Sequence, residues 1–323
     1  MGAESELDTR ITTVRAHFLI PPSPEAALAE FDVSVAALRA EYRDVASAFR
    51  HSLTSALSTI GMPFTLAFTS VESSHFQRIH IAERIRARNI DESALAPGEE
   101  LEAVRDREAG VTASSRMYEF VQSEDGQDSL IADTCAFLLA SLKHGLQAAA
   151  HELLQQGLVL LWSAFEVLYR DTFEIMLNQD PRKVRALIGD PSTRKRFEAE
   201  RLPLDVLANY GFNLSARLGT VLVGQQDFSD LPTVKAVFAV LFPANSGLGH
   251  ALADRQLWTL YQRRHVVVHR RGVVDQHYLD STGETHSLGT LLTVAPADFE
   301  NAFRVVVSAA TALMGSLSIG GEN

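Results

Sequence analysis

Apolar residues recur at helical spacing from Leu130 to Leu177, and this long run limits the possible fold more than any other feature of the chain. An apolar stripe of that length needs other elements to cover it, because leaving it in water costs free energy. Gly145 and Gly157 are the only weak points, so the run predicts either two successive helices or one long helix. We therefore expect a mainly α protein built as a helical bundle.

A second apolar seam runs through the N-terminal part, with steps that alternate between three and four residues. It predicts a helix of about nine turns that begins near Ser23 and stops near Gly61 and Pro63. Segments 11–20 and 64–71 predict short strands, so this region is expected to be α-rich, possibly α+β. The seam, which needs a partner from this chain or a second copy, consists of Leu28, Phe31, Val35, Leu38, Tyr42, Val45 and Phe49.

The domain organisation follows from length and from a change in pattern. The 323 residues suit one large or two ordinary domains. Residues 91–128 show the least pattern, and their acidic end, SEDGQD, is the expected boundary. We therefore predict an N-terminal accessory or regulatory region, 1–128, and a helical domain, 129–323. In the latter, residues 280–295 predict a short hairpin or loop, followed by a last helix that opens at Pro296.

Composition narrows the class of protein. The hydrophobic content of 46% is ample for a packed core. The single cysteine, Cys135, allows no internal disulfide, and the N-terminal sequence has no apolar signal region, so a cytoplasmic location and no membrane contact are expected. The net charge of −11 argues against a general nucleic-acid binder, because such affinity comes largely from neutralising phosphates. Any nucleic-acid role must therefore use local basic patches.

The chemistry of the chain is concentrated between Gln262 and Leu279, QRRHVVVHRRGVVDQHYL. Arg264 cannot lose its proton whereas His269 can, so the two together can hold a phosphate and move a proton beside it. Five residues on a continuous helix turn through about 140°, so the pair works only if the helix ends near His269. From spacing alone, a capped helix end with a basic rim is the alternative.

The histidines and basic residues of the chain allow further interpretations. His265 and His269 have the spacing of a two-histidine metal pair, but further ligands would have to come from His250 or His277, and we expect no metal. His265 is instead expected to support His269 or to contact substrate. The motif forms one basic patch, with Arg263, Arg264, Arg270 and Arg271. A second patch, 182–201, is either a solvated helix–turn–helix surface or a cradle for an RNA backbone, and includes Arg194, Lys195 and Arg196.

Four ordered segments carry a family resemblance. "LWTLYQRRHVVVHRRGVVDQHYL" resembles the last core helix of HEPN domains, helical defence and toxin proteins that are mostly bacterial and archaeal. The family pattern is Arg, four to six residues, then His, often followed by Gly and by V-D-x-x-Y-L. "LVLLWSAFEVLYRDTFEIML", "LANYGFNLSARLG" and "VAPADFENAFRVVV" resemble the earlier, linking and closing segments. The match covers roughly Ser129 to Leu317, and it departs from the family at His265, where a small polar residue is usual.

The resemblance implies a function and a set of roles. It implies metal-independent cleavage of RNA by a toxin or an abortive-infection effector, without a cofactor, in which Arg264 and His269 of two protomers face one cleft. Ser163 and Glu166 occupy the polar positions of the earlier helix, and Glu166 is expected to orient Arg264 or else to lie on the outer face. The implied partners are RNA, a second copy, and possibly an antitoxin or sensor protein. The rivals are a non-catalytic HEPN module that binds a nucleotide or a protein, and a helical scaffold in a larger complex.

Overall fold

A computed structural model describes residues 3–91, 100–142, 145–198, 204–224 and 228–319. Over these ranges the regular elements are helices, with one isolated bridge between Val273 and Leu291, so the expected mainly α class is confirmed. No described helix combines the length and the apolar character that crossing a membrane requires. The helices are α1 (Ala3–Arg15), α2 (Pro24–Ala27), α3 (Ala29–Val35), α4 (Ala40–Arg86), α5 (Leu101–Gln122), α6 (Glu124–Ser141), α7 (Leu146–Gln179), α8 (Val184–Gly189), α9 (Pro191–Glu198), α10 (Leu204–Asn209), α11 (Leu218–Val223), α12 (Leu231–Leu241), α13 (Ser246–Ala253), α14 (Arg255–Arg270), α15 (Gln276–Thr282) and α16 (Pro296–Ile319).

The contacts divide the chain into two compact units. Unit 1 comprises Met1–Pro21 and Gly61–Ala150, and unit 2 comprises Pro22–Ile60 and His151–Asn323. The helices α4 and α7 each contribute residues to both units. The expected boundary at residue 128 lies inside α6, whose first turn is capped by Ser123. The units therefore do not follow the division into 1–128 and 129–323.

Unit 1 is built from α1, α5, α6 and the C-terminal part of α4. Its core includes Val14 and Phe18, Ala67 of α4, and Cys135 and Leu138 of α6. The two predicted strands are wrong, because 11–15 belong to α1 and 64–71 lie inside α4. The region read as least patterned holds α5; within it, residues 92–99 fall outside the described residues.

The predicted stop at Gly61 and Pro63 is also wrong, since α4 continues to Arg86. The absence of a side chain at Gly61 allows Pro21 to pack closely against α4, because a Cβ there would lie 2.7 Å from the Cγ atom of Pro21. Pro63 has no amide proton, so the carbonyl of Thr59 receives no helical hydrogen bond from position 63, and the helix continues without it. The glycine and proline are thus accommodated within the helix.

The N-terminal seam lies in unit 2 and does not form one helix: Leu28 precedes α3, the next residues lie in α3, and the last ones lie in the first part of α4. Residues 36–39 interrupt it between α3 and α4. Leu28, Phe31 and Phe49 are buried, α3 packs on α16, and the Tyr42 hydroxyl donates to Gln179 of α7 at 3.1 Å. The chain itself therefore covers most of the seam.

The centre of unit 2 is an aromatic core on α7. Trp162 packs against Tyr261 of α14 with ring centroids 5.2 Å apart, and Tyr169 packs against Phe238 of α12 at 4.9 Å. The Tyr169 hydroxyl also donates to the carbonyl of Ala309 on α16 at 2.8 Å. These contacts fix α14, the helix that carries the Arg–His motif, within a bundle with α7, α12 and α16.

The remaining expectations concern helix ends. The 130–177 run is two helices, α6 and α7, and Gly145 between them takes a positive φ of 83°. Gly157 stays inside α7, where a Cβ would lie 2.7 Å from the ring of Phe299. The expected hairpin or loop at 280–295 begins only after α15 ends at Thr282. The predicted start of the last helix at Pro296 is confirmed.

Candidate functional site

The motif helix α14 is bounded at both ends by local capping signals, and it ends near His269 as the Arg–His pair requires. Asp254 caps the first turn, because its Oδ1 atom accepts a hydrogen bond from the amide of Gln256 at 2.7 Å. At the other end Arg271 and Gly272 take left-handed backbone with φ of 53° and 77°. The amide of Gly272 donates back to the carbonyl of Val266 at 3.0 Å. The helix therefore stops directly after the histidine of the motif.

Arg264 and His269 are in contact at this helix end. The Nη1 atom of Arg264 lies 3.3 Å from the Nε2 atom of His269. A guanidinium can only donate, so in a hydrogen bond between these two atoms Nε2 is the acceptor. His269 is exposed and Arg264 is half-buried. The pair thus places a guanidinium and an imidazole in contact at an exposed helix end.

His265 completes a cluster one turn before His269. The centroids of the two imidazole rings are 4.7 Å apart. Burial lowers the pKa of His265, and the charges of His269 and Arg264 lower it further. Burial and the neighbouring positive charge therefore both disfavour the protonated form of His265. Within the described ranges, no set of three or more His, Cys, Asp or Glu side chains is arranged as metal ligands.

Arg263 lies on the buried face of α14, which corrects its place in the basic patch. Its guanidinium pairs with Glu284 at 2.8 Å and with Asp298 at 3.0 Å, and its side chain is only 10% exposed. Tyr278 also donates its hydroxyl to Glu284. Burial opposes the charge of Arg263, but the two carboxylates outweigh it and raise the pKa of the guanidinium. Arg263 supports the site by tying α14 to the loop after α15 and to the start of α16.

The V-D-x-x-Y tail of the motif is a helix cap. The Oδ1 atom of Asp275 accepts from the amide of Tyr278 at 2.9 Å and starts α15. The other carboxylate oxygen lies 3.2 Å from the Nε atom of Arg270, whose side chain is 59% exposed. Arg270 and Arg271 therefore stay on the surface beside the Arg264–His269 pair.

The turn after α14 is held by α7 through Gln155, a residue that no sequence pattern singled out. Gln155 donates to the carbonyl of Leu292 at 2.9 Å, and the amide of Leu292 donates to the carbonyl of Gly272 at 2.7 Å. Sequence reasoning likewise missed Glu284 and Asp298. The only available signal was the position of Asp298 in the first turn after Pro296, where acidic residues favour helix starts.

The polar positions of α7 show two different environments. Ser163 is exposed and Glu166 is half-buried. The hydrogen bond that Arg264 makes within the motif goes to His269. The orientation of Arg264 by Glu166 therefore stays a prediction.

The second basic patch is partly engaged in holding its own helices. Arg194 of α9 donates to the carbonyls of Ile188 and Gly189 at 3.1 and 3.2 Å, at the end of α8. Arg196 lies 3.5 Å from Asp230. Lys195 is exposed on the same short helix. Positive charge remains at the surface, so both readings of the patch stand. The last basic residue of the patch, Arg201, lies outside the described residues.

Comparison with protein-family models, with curated proteins and with solved structures gave no match.

Proposed function

We propose that the chain is a metal-independent endoribonuclease of the HEPN type, acting as a toxin or as an abortive-infection effector. The observation that carries the proposal is the 3.3 Å contact between Arg264 and His269 at an exposed helix end. The ordered resemblance of four segments supports it. The same observation favours phosphate chemistry over a bare helix cap, because capping does not require an imidazole in contact with a guanidinium.

The chemistry follows from the two side chains. The ribose 2′-hydroxyl attacks the adjacent phosphorus, and its proton passes to the Nε2 atom of His269. A phosphate that draws Arg264 to itself releases that lone pair, which Arg264 occupies in the free protein. The guanidinium then stabilises the charge that develops on the phosphorane oxygens. The bond to the leaving 5′-oxygen breaks, and the products are a 2′,3′-cyclic phosphate and a 5′-hydroxyl.

One Arg–His pair lacks an acid for the leaving oxygen, so the proposal includes a homodimer. His269 of a second protomer would donate that proton, with both motifs facing one cleft. The chain itself covers most of the N-terminal seam, so the seam gives no support for a dimer. The support for a dimer is the missing acid. A cytoplasmic location and control by an antitoxin or sensor protein belong to the same proposal.

RNA cleavage by purified variants tests it. Wild-type protein in EDTA should cut RNA and leave 2′,3′-cyclic ends. His269→Ala should lower the rate by about 10²–10⁴-fold, the usual contribution of general acid–base catalysis. Arg264→Lys should also fail, because an ammonium cannot reproduce the planar fork on a phosphate. His277→Ala, which removes an exposed histidine of α15, is the matched control and should stay active.

Three results would overturn the proposal. Full activity of His269→Ala would remove the proton-transfer role, and a strict need for a divalent metal with 5′-phosphate products would favour the His265–His269 metal pair. A wild-type protein that cuts no RNA would favour the non-catalytic binding module. Light scattering that found an active monomer would refute the shared cleft.

The basic surface has its own test. Replacing Arg194, Lys195 and Arg196 by Gln should reduce the salt dependence of RNA binding if these side chains neutralise phosphates, by about 0.7 in the log–log slope for each lost contact to a single strand. Arg270→Gln and Arg271→Gln should have a similar effect beside the motif. An unchanged slope in the triple variant would identify 182–201 as a solvated surface.

A further inference from the structure

A cavity of about 380 Å³ lies in unit 2 against α12 and α13. Its apolar lining includes Phe238, Phe242, Leu248 and Leu252. Phe238, Leu248 and Leu252 are at most 3% exposed, so they pack beneath the cavity, whereas Phe242 is half-buried and Ala239 is exposed, and these two can meet a ligand. The volume falls within the range of small-molecule sites, which is about 300–1,000 Å³.

One charge faces this apolar space. Lys235 of α12 is the only charged residue among the described residues that line the cavity. Its ammonium lies 5.8 Å from the ring of Trp258 in α14. Within the described part of the chain no carboxylate pairs with it, and burial lowers its pKa. A cation held against an aromatic ring, without a counter-charge, is a binding group for an anion.

We propose that this cavity binds a small amphipathic carboxylate, with its apolar body against Phe242 and Ala239 and its carboxylate at Lys235. A neutral ligand would leave the half-buried ammonium without a partner, and a cationic ligand would be repelled by it. This site is separate from the Arg264–His269 pair, and it does not depend on the proposed RNA chemistry.

Octanoate, octanol and octylamine test the choice of head group, because they share one apolar chain. Each is titrated calorimetrically into the full-length protein. Octanoate should bind saturably with a Kd of about 1 mM or tighter, as is attainable for a ligand of this size. Octanol should bind about five- to tenfold more weakly, the worth of a partly exposed charge-assisted contact, and octylamine more weakly still.

Two variants locate the site. Lys235→Met keeps the aliphatic stem and removes the charge, so octanoate should lose its advantage over octanol. Gly249 lines the cavity, and a Cβ there would meet no atom within 4 Å, so Gly249→Phe should fill the space and abolish binding. Gly189→Phe is the matched control: its Cβ also meets nothing within 4 Å, but Gly189 ends α8 away from the cavity lining, and binding should be unchanged.

Trp258 provides a second readout. The chain has two tryptophans, and Trp162 is fully buried in the α7 core, so a fluorescence change on adding octanoate should disappear in Trp258→Phe. Equal binding of the three probes, or undiminished octanoate binding by both Lys235→Met and Gly249→Phe, would overturn the proposal. Absence of saturable octanoate binding by the wild-type protein would overturn it as well.

Discussion

Replacing Arg263 by methionine should destabilise unit 2 strongly, because Arg263, next to Arg264 in the chain, has a structural role. Methionine keeps the length of the aliphatic stem and removes the guanidinium. Glu284 and Asp298 would then lose the cation that pairs with both of them, at 2.8 Å from Glu284 and 3.0 Å from Asp298. The cost arises from leaving charges uncompensated in a partly buried place.

The size of the effect follows from the exposure of the partners. Losing one member of a fully buried ion pair costs about 3–5 kcal/mol. The side chains of Glu284 and Asp298 are 23% and 29% exposed, so solvent relieves part of that cost. We expect a loss of about 2–4 kcal/mol in the free energy of unfolding.

Urea unfolding followed by circular dichroism measures this loss, and Arg270→Met is the control on the same helix. Arg270 makes a single surface pair with Asp275, so its removal should cost less than about 1 kcal/mol. Adding Glu284→Gln to Arg263→Met should recover part of the loss, because it removes one of the two unpaired charges. Equal losses for Arg263→Met and Arg270→Met would refute the reasoning, as would a double variant less stable than Arg263→Met.

The stability that Arg263→Met loses relative to wild type should depend on pH. Burial raises the pKa of Glu284, but hydrogen bonds from Tyr278 and Arg263 outweigh it, and on balance the pKa is lowered. A carboxylate with a lowered folded pKa stabilises the protein above its unfolded pKa, and this stability is lost as the pH falls through the folded pKa. The difference between wild type and Arg263→Met should therefore shrink below about pH 4.5.

Three other changes have directions that the structure fixes, and urea midpoints measure all of them. Gly157→Ala should lower the free energy of unfolding by about 1–3 kcal/mol, although alanine favours a helix more than glycine does. The new Cβ would lie 2.7 Å from Phe299 and 2.9 Å from Ile60. An unchanged midpoint would mean that α7 can shift to relieve these contacts. Phe212 has a φ of 57° and is 67% exposed, so Phe212→Asn should stabilise the chain by about 0.5–1 kcal/mol, and a loss would show that the ring packs. Because the pKa of His265 is lowered on folding, stability should fall as the pH drops below about 6.5, and less so in His265→Gln; parallel curves would exclude the histidine as the cause.

The ends of α14 were predictable because their signals are local. Asp254 caps the first turn and Gly272 follows the last, and both act within a few residues of their own position. Pro63 is a local signal as well, yet α4 passes through it. Ala67 and Val71 are buried beyond it, and their burial offsets the hydrogen bond that proline removes.

The predicted strands failed for a related reason. Ile11, Val14 and Phe18 are β-branched or aromatic, but they are also spaced three and four apart, and this spacing places them on one face of a helix and its following turn. Packing in unit 1 decided between the two readings. Residue type was the weaker guide there.

At the candidate site, the sequence was enough to single out Arg264 and His269, but it did not reveal the residues that hold their helix in place. Arg264 and His269 lie in one helix, so their contact depends on spacing and on where that helix ends. The partners of Arg263 come from two other segments, and no local pattern could pair them with it. The HEPN assignment and the roles of Ser163 and Glu166 stay predictions.

The left-handed residues Arg271 and Gly272 make the site sensitive to insertions and deletions. They fix the end of α14. The four residues from His265 to Val268 then set how far apart Arg264 and His269 lie along the helix axis and around it. Adding or deleting one residue would turn the imidazole by about 100° and move it by about 1.5 Å. The 3.3 Å contact with Arg264 would then be lost, whereas many replacements of the valine side chains would leave it in place.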